Sequence, residues 1–292
     1  MLYFTGDIHS DILRRIYNFR RLGVKRDEAD ALIVAGDFGL PWSRHDHAKE
    51  QRVLDVAEKH LNLYNVTLYF VDGNHENFDM LYEIPIEDDG TRHLRPHIRH
   101  MPRGTLHKIN GCDVFAFGGA LSTDRGMEVL GRGYWQQELP TDPEKQQGLE
   151  TLKASQNVDF VVSHAAPGGA ILMMSDAAIR FEPARLKDPM IDVLEGYRLI
   201  FEERFPHAHW YYGHYHENIT FSPIKHHSNL TYTCIYEEIE AVREQDVFLE
   251  RQKPRKVIPQ QRVDPVASIK VGPVDSIDSS RHRRHRRFER RL

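Results

Sequence analysis

Residues 213–216 read Gly-His-Tyr-His. In an extended strand residues i and i+2 project to the same side, so His214 and His216 can converge on one point. That is the spacing of a metal-ligand pair, and Asp7 and His9 repeat it near the N-terminus. A glycine, Gly6 or Gly213, precedes the first member of each pair and lets the backbone turn tightly. Between the pairs stand Gly-Asp at Asp37, Gly-Asn-His-Glu at Asn74 and His75, and Ser-His at His164. Imidazole, carboxylate and amide oxygen without thiolate suit Mn, Fe, Zn, Co or Ni better than a soft-metal cluster.

Each block follows a short apolar run. Residues 2–5, 31–35 and 66–71 are β-branched, aromatic or aliphatic stretches of the kind buried strands use. Between the first two, Ile12, Leu13, Ile16, Phe19 and Leu22 keep helical spacing, with Ser10 as the expected N-cap and Gly23 as the stop. A second helix is expected over 46–62. Strand, helix, strand, helix, strand predicts a parallel sheet with crossover helices. Further on, 113–119, 159–164 and 208–214 read as strands and the stretch near 188–204 as a helix. The closing segments, 218–224 and 229–236, read as antiparallel hairpins on a second sheet. The expected core is α/β with two mixed sheets, ending near residue 245. Ligands of open α/β sheets bind outside the carboxyl ends of parallel strands, which is where the polar blocks stand.

The chain has 292 residues, 40% hydrophobic, and no apolar run nears the ~20 residues that span a membrane. Its formal charge of −4 hides an asymmetry: residues 281–292 hold seven Arg against one Glu. The preceding 280 residues hold 32 Lys and Arg against 42 Asp and Glu. An acidic body argues against broad electrostatic binding of nucleic acid by the folded part. Two cysteines, Cys112 and Cys234, point to reduced thiols rather than a disulfide framework. The N-terminus lacks a basic leader and starts at once with a core strand, so the expected location is cytoplasmic.

Gly-Asp, Gly-Asn and Gly-His pairs also mark turns. Taken in order, however, D-x-H, G-D, G-N-H-E, S-H and G-H-x-H resemble the calcineurin-like metallophosphoesterase superfamily over roughly residues 1–245. The resemblance implies an αββα sandwich, two sheets flanked by helices, with the domain over 1–250. It also implies two divalent metals about 3.5–4 Å apart. Asp7, His9 and His216 would hold the first metal, Asn74, His164 and His214 the second, and Asp37 would bridge both. Mn is the expected metal, with Fe, Zn, Co or Ni as alternatives. His75 would sit beside the substrate as a proton donor or phosphate contact. The implied reaction is phosphoester hydrolysis by a metal-bridging hydroxide, with no phosphoenzyme.

Departures from the family narrow the substrate. Serine/threonine protein phosphatases of this superfamily carry G-D-x-x-D-R-G, whereas this chain reads Gly-Asp-Phe-Gly-Leu-Pro-Trp, with Leu40 and Pro41 in place of the later Asp and Arg. Asp72 stands where they place an arginine before G-N-H-E. A phosphodiester or small phosphomonoester is therefore expected over a phosphoprotein. Arg44 and Arg125 read as solvated surface arginines, and His45 and His47 as exposed. The connection 118–140, with Tyr134 and Trp135, is either a substrate wall or a packed surface loop. Residues 251–292, Pro-interrupted and Arg-rich, read as a disordered tail. The alternative from another class is a non-catalytic scaffold that binds nucleic acid or acidic partners through that tail. Intact residues at all seven ligand positions argue against it. Oligomeric state is left open.

Overall fold

The computed structural model describes residues 1–26, 28–123, 125–175, 187–221 and 230–252. The first strand, β1 (Leu2–Thr5), is buried at every position because both its faces are covered. Leu2 and Phe4 face the core between the two sheets. Tyr3 faces outward onto helix α1 (Ile12–Arg20), where its ring meets Phe19 edge-on at 4.7 Å. Strand β2 (Asp30–Val34) repeats the alternation, with Ala31 and Ile33 inward and Leu32 and Val34 outward. Near-continuous apolar strands of this kind are what a two-sided burial requires.

The remaining elements follow in chain order: α2 (His47–Leu63), β3 (Val66–Phe70), α3 (Phe78–Leu81), β4 (Arg92–Arg95), β5 (Ile98–His100), β6 (Thr105–Ile109), β7 (Cys112–Phe117), α4 (Asp142–Ala154), β8 (Phe160–Ser163), α5 (Gly168–Ser175), α6 (Met190–Arg204), β9 (His209–Tyr212), β10 (Ile219–Phe221), β11 (Thr231–Cys234), β12 (Glu240–Val242) and α7 (Glu244–Arg251). One sheet has the order β12-β1-β2-β3-β5-β4 and the other β10-β11-β9-β8-β7-β6. Each has four parallel strands in the middle and an antiparallel strand at either edge. Helices α1 and α2 cover the outer face of the first sheet, and α4, α5 and α6 that of the second. The chain is thus an αββα sandwich of two mixed six-stranded sheets.

Two local expectations are corrected. Ser10 does not cap α1: the N-cap is Asp11, and the Ser10 hydroxyl instead donates to the Gly39 carbonyl at 2.6 Å. The closing strands are not a simple run of hairpins either. β10 pairs antiparallel with β11, but β11 lies parallel to β9, because it fills the next place in the parallel centre of the sheet. The disordered-tail expectation falls on residues of which 253–292 lie outside the described ones. The last described helix is tied to the body: Arg251 makes a bidentate pair with the buried Asp159 at 2.6 and 2.5 Å.

Candidate metal centre

All five polar blocks stand at the carboxyl ends of parallel strands: Asp7 and His9 after β1, Asp37 after β2, Asn74 and His75 after β3, His164 after β8, and His214 and His216 after β9. The two sheets deliver them to one edge of the sandwich. The backbone there leaves the strand abruptly. Asp7, His9, Asp37, His214 and His216 all have φ between +46° and +67°. L-residues rarely adopt that left-handed region, and a cluster of them is characteristic of functional turns. Close approach makes two glycines obligatory. A Cβ at Gly73 would fall on Asp37 Oδ1, and one at Gly213 on Asp7 Oδ2.

The side chains converge tightly. Asp7 Oδ1 lies 3.4 Å from His216 Nε2 and 3.9 Å from His9 Nε2. Asp37 lies between His9 Nε2 at 3.7 Å and His164 Nε2 at 3.2 Å. Asn74 Oδ1 is 3.2 Å from the same His164 nitrogen. The His214 ring meets that of His164 edge-on at 5.0 Å, and its backbone N–H donates to Asp7 Oδ1 at 3.1 Å. Among the described residues three groups place their ligand atoms within 4.8 Å of one another: Asp7, His9 and His216; His9, Asp37 and His75; and Asp7, Asp37 and His164. The structure therefore brings all seven expected ligand residues, and His75, into one cluster. His9 and His216, with side chains 34% and 42% exposed, form its open face, while Asp7, Asp37, Asn74, His164 and His214 are buried.

The electrostatics suit cation binding. Burial would raise the pKa of Asp37, but the imidazoles of His164, His75 and His9 outweigh it and hold the carboxyl well below its usual range. Burial favours neutral His164, yet Asp37, Asp7 and the Ala35 carbonyl raise it to about 9. His164 Nδ1 lies 2.8 Å from the Ala35 carbonyl and so carries a hydrogen, which leaves Nε2 to face Asp37 and Asn74. His9 is pushed down by burial, against the pull of Asp37 and Asp7. His9 and His216 point Nε2 at each other at 3.4 Å. Imidazole nitrogens facing one another across carboxylate oxygens, with no thiolate, fit a borderline divalent cation. The residues present fit the group that the fold implies.

Residues to which no role was given in the sequence brace this arrangement. Glu76 accepts backbone N–H bonds from Phe38 at 2.8 Å and Gly39 at 3.0 Å, tying the turn after β3 to the one after β2. Burial and then Asp37 raise its pKa well above the usual carboxylate range. Arg15, 3% exposed, donates to Thr5 Oγ1 and to the carbonyls of Tyr236, Gly6 and Asp7, behind the β1 turn. Its signal was present in the sequence, a cation on the apolar side of α1 beside Ile12, Ile16 and Phe19. Asp72 is buried on Arg103 and His100, away from solvent. Arg44 is solvent-exposed as expected, in a surface pair with Glu83, whereas Arg125 is drawn in by the buried Glu138. His45 and His47 are exposed.

A sandwich of this topology, with aspartate and histidine gathered at the strand ends, defines a metallohydrolase class. The calcineurin-like phosphoesterase family model matches residues 2–218, and the chain belongs to that family, whose members hydrolyse phosphoesters with divalent metals. Among solved structures, it is similar to the crystal structure of TT1561 of Thermus thermophilus, at 12% identity over 81% of this chain and 89% of that one, with a TM-score of 0.47. No curated protein matches it in sequence. Among the described residues no helix is long and apolar enough to cross a membrane.

Proposed function

We propose that this chain is a binuclear metal-dependent hydrolase of phosphodiesters or small phosphomonoesters, with residues 1–250 as its catalytic unit. The observation that carries the reading is the placement of Asp37 between His9 and His164, the position from which one carboxylate can serve two cations. Asp7, His9 and His216 would hold one ion, and Asn74, His164 and His214 the other, with Mn as the metal expected from the family resemblance and Fe, Zn, Co or Ni as alternatives. Bound there, two divalent cations would supply an activated water near neutral pH and neutralise phosphoryl oxygens. The chain's own part is to fix that geometry on rigid strand ends and to move a proton. His75 follows Asn74, and its ring lies edge-on to His9 at 5.2 Å on the open side of the cluster. From there it would give its proton to the departing alkoxide oxygen.

The small-ester preference rests on what surrounds the site. Arg125 is held by the buried Glu138, and Leu40 is buried where protein phosphatases place an aspartate. Two free, buried cysteines, Cys112 and Cys234, accord with a reducing, cytoplasmic setting. A metal-by-substrate activity matrix tests the whole reading. It should cover p-nitrophenyl phosphate, bis-p-nitrophenyl phosphate, cyclic nucleotides, dinucleotides and single-stranded DNA. Turnover that is absent without metal and highest with Mn on a small ester supports it. Turnover of none of these with any of the five metals defeats it.

A further inference from the structure

A carboxamide can present either its oxygen or its NH2 to a site, and only the oxygen has a lone pair for a cation. Asn74 is the one member of the cluster with this ambiguity, so something must decide its flip. Its Nδ2 lies 3.3 Å from Ser122 Oγ, and its Oδ1 faces His164. Ser122 Oγ in turn lies 2.9 Å from Glu138 Oε1, while the Ser122 backbone N–H donates to Glu138 Oε2 at 3.0 Å. A carboxylate offers only acceptors and a hydroxyl has only one hydrogen. The Ser122 hydrogen therefore goes to Glu138, its lone pairs are left for Asn74, and the NH2 end of Asn74 must turn toward Ser122.

Glu138 is itself held. Arg125 donates to Oε2 through Nε at 3.2 Å and Nη2 at 2.8 Å, and the Trp135 backbone N–H donates to Oε1 at 3.1 Å. The Glu138 side chain is fully buried, Ser122 is 3% exposed and Asn74 4% exposed, so water has little access to replace these partners. Arg125 also lies over the Tyr134 ring, 5.2 Å from its centroid. The long connection 118–140 thereby reaches into the centre through Ser122.

We propose that Ser122 and Glu138 are positioning residues that set the flip of Asn74 and present its Oδ1 to the cation shared with His164. The inference rests on the reading of Asn74 as a ligand. Groups that orient metal ligands in this way are worth about 10–100-fold in metal affinity.

Calorimetric titration of the metal-free full chain with Mn²⁺ tests it. Ser122→Ala should weaken one of the two binding events by about 10–100-fold and leave the other within about threefold. Ser122→Thr, which keeps the hydroxyl, should restore the weakened event, and Glu138→Gln, which replaces an acceptor with an NH2, should weaken that same event. If Ser122→Ala does not fold, Ser122→Cys, whose thiol is a poor partner, reports the same split. Asn74→Ala separates the two levels of the argument. If it loses one event while Ser122→Ala keeps both at wild-type affinity, or weakens both equally, the positioning inference falls and the ligand reading stands. If Asn74→Ala keeps both events, the ligand reading itself falls.

Discussion

Asp37 Oδ1 and His164 Nε2 lie 3.2 Å apart across the seam between the two sheets, one at the end of β2 and the other at the end of β8. The same Asp37 oxygen accepts the backbone N–H of His75 at 2.8 Å. With His9 Nε2 at 3.7 Å from its other oxygen, one carboxylate thus reaches four of the five polar blocks, its own included. Asp37→Asn keeps the shape and removes the charge. On the binuclear reading proposed above it should reduce turnover by at least about 10²-fold and lower the metal content, because both cations would lose a shared anionic ligand. Metal analysis and kinetics on the purified variant decide it; full content with full turnover would remove Asp37 from the centre.

The contribution of His75 should depend on the leaving group. An alkyl alcohol leaves poorly without a proton, whereas p-nitrophenolate leaves well, and general acids contribute about 10²–10⁴-fold. His75→Asn should slow alkyl or nucleoside phosphates by about 10²-fold, the lower end of that range, since Leu40 supplies no orienting carboxylate. Hydrolysis of p-nitrophenyl phosphate should fall much less. Equal slowing of both substrates would assign His75 to the phosphoryl oxygens, and loss of metal would make it a ligand alongside His9 and Asp37.

Stability should fall in acid through His107, away from the centre. This residue on β6 is 7% exposed, and its Nε2 lies 2.7 Å from Thr105 Oγ1, whose hydrogen goes to the Pro102 carbonyl. Burial pushes its pKa from 6.5 down to about 4, partly opposed by Asp89 and reinforced by His100. Between those values the unfolded chain binds a proton that the folded chain refuses. The stabilisation is therefore complete above about 6.5 and is lost as pH falls toward 4, at up to about 1.4 kcal/mol per pH unit. Urea unfolding of wild type and His107→Gln across that range should show a shallower pH slope for the variant. Identical slopes would mean that His107 titrates normally in the folded state.

The C-terminal boundary can be probed from both sides. A chain ending after residue 252 should keep kcat on p-nitrophenyl phosphate within about threefold, under about 1 kcal/mol of barrier. Arg251→Met, by contrast, leaves the fully buried Asp159 carboxylate without its guanidinium and should lower unfolding free energy by about 1–3 kcal/mol. A larger loss of turnover on truncation would place residues beyond 252 in the chemistry.

What could be read from the sequence depended on whether the signal was local. β1, β2, β3 and α2 declare themselves because apolar runs and helical spacing are properties of consecutive residues. β4, Arg-His-Leu-Arg, does not, since an edge strand with a solvated face can carry charge at most positions. The parallel pairing of β11 with β9 depends on which neighbour is vacant in the sheet, and loop length does not reveal that. The meeting of the seven side chains was legible because each block ends a strand, and parallel strands end on one side. Which of them hold a cation is the proposal above. Glu138 and Ser122 were invisible: they lie sixteen residues apart in a connection with no period, and only the folded loop brings them to Asn74.

The left-handed turns of Asp7, His9, Asp37, His214 and His216 place the fold and its chemistry in opposition. Left-handed backbone costs an ordinary L-residue about 1–2 kcal/mol, less for aspartate and histidine, and glycine is spared it. If these residues serve the metal centre proposed above, selection for turnover must hold them against that gradient. A descendant released from such selection should drift first at the two turns whose side chains are exposed, His9 and His216, toward glycine or asparagine, and should melt at a higher temperature than its ancestor, whereas the buried Asp7, Asp37 and His214 stay held by their partners. Among relatives of this chain, heat resistance gained together with glycine at an Asp-x-His or His-x-His turn would therefore be the mark of a retired enzyme.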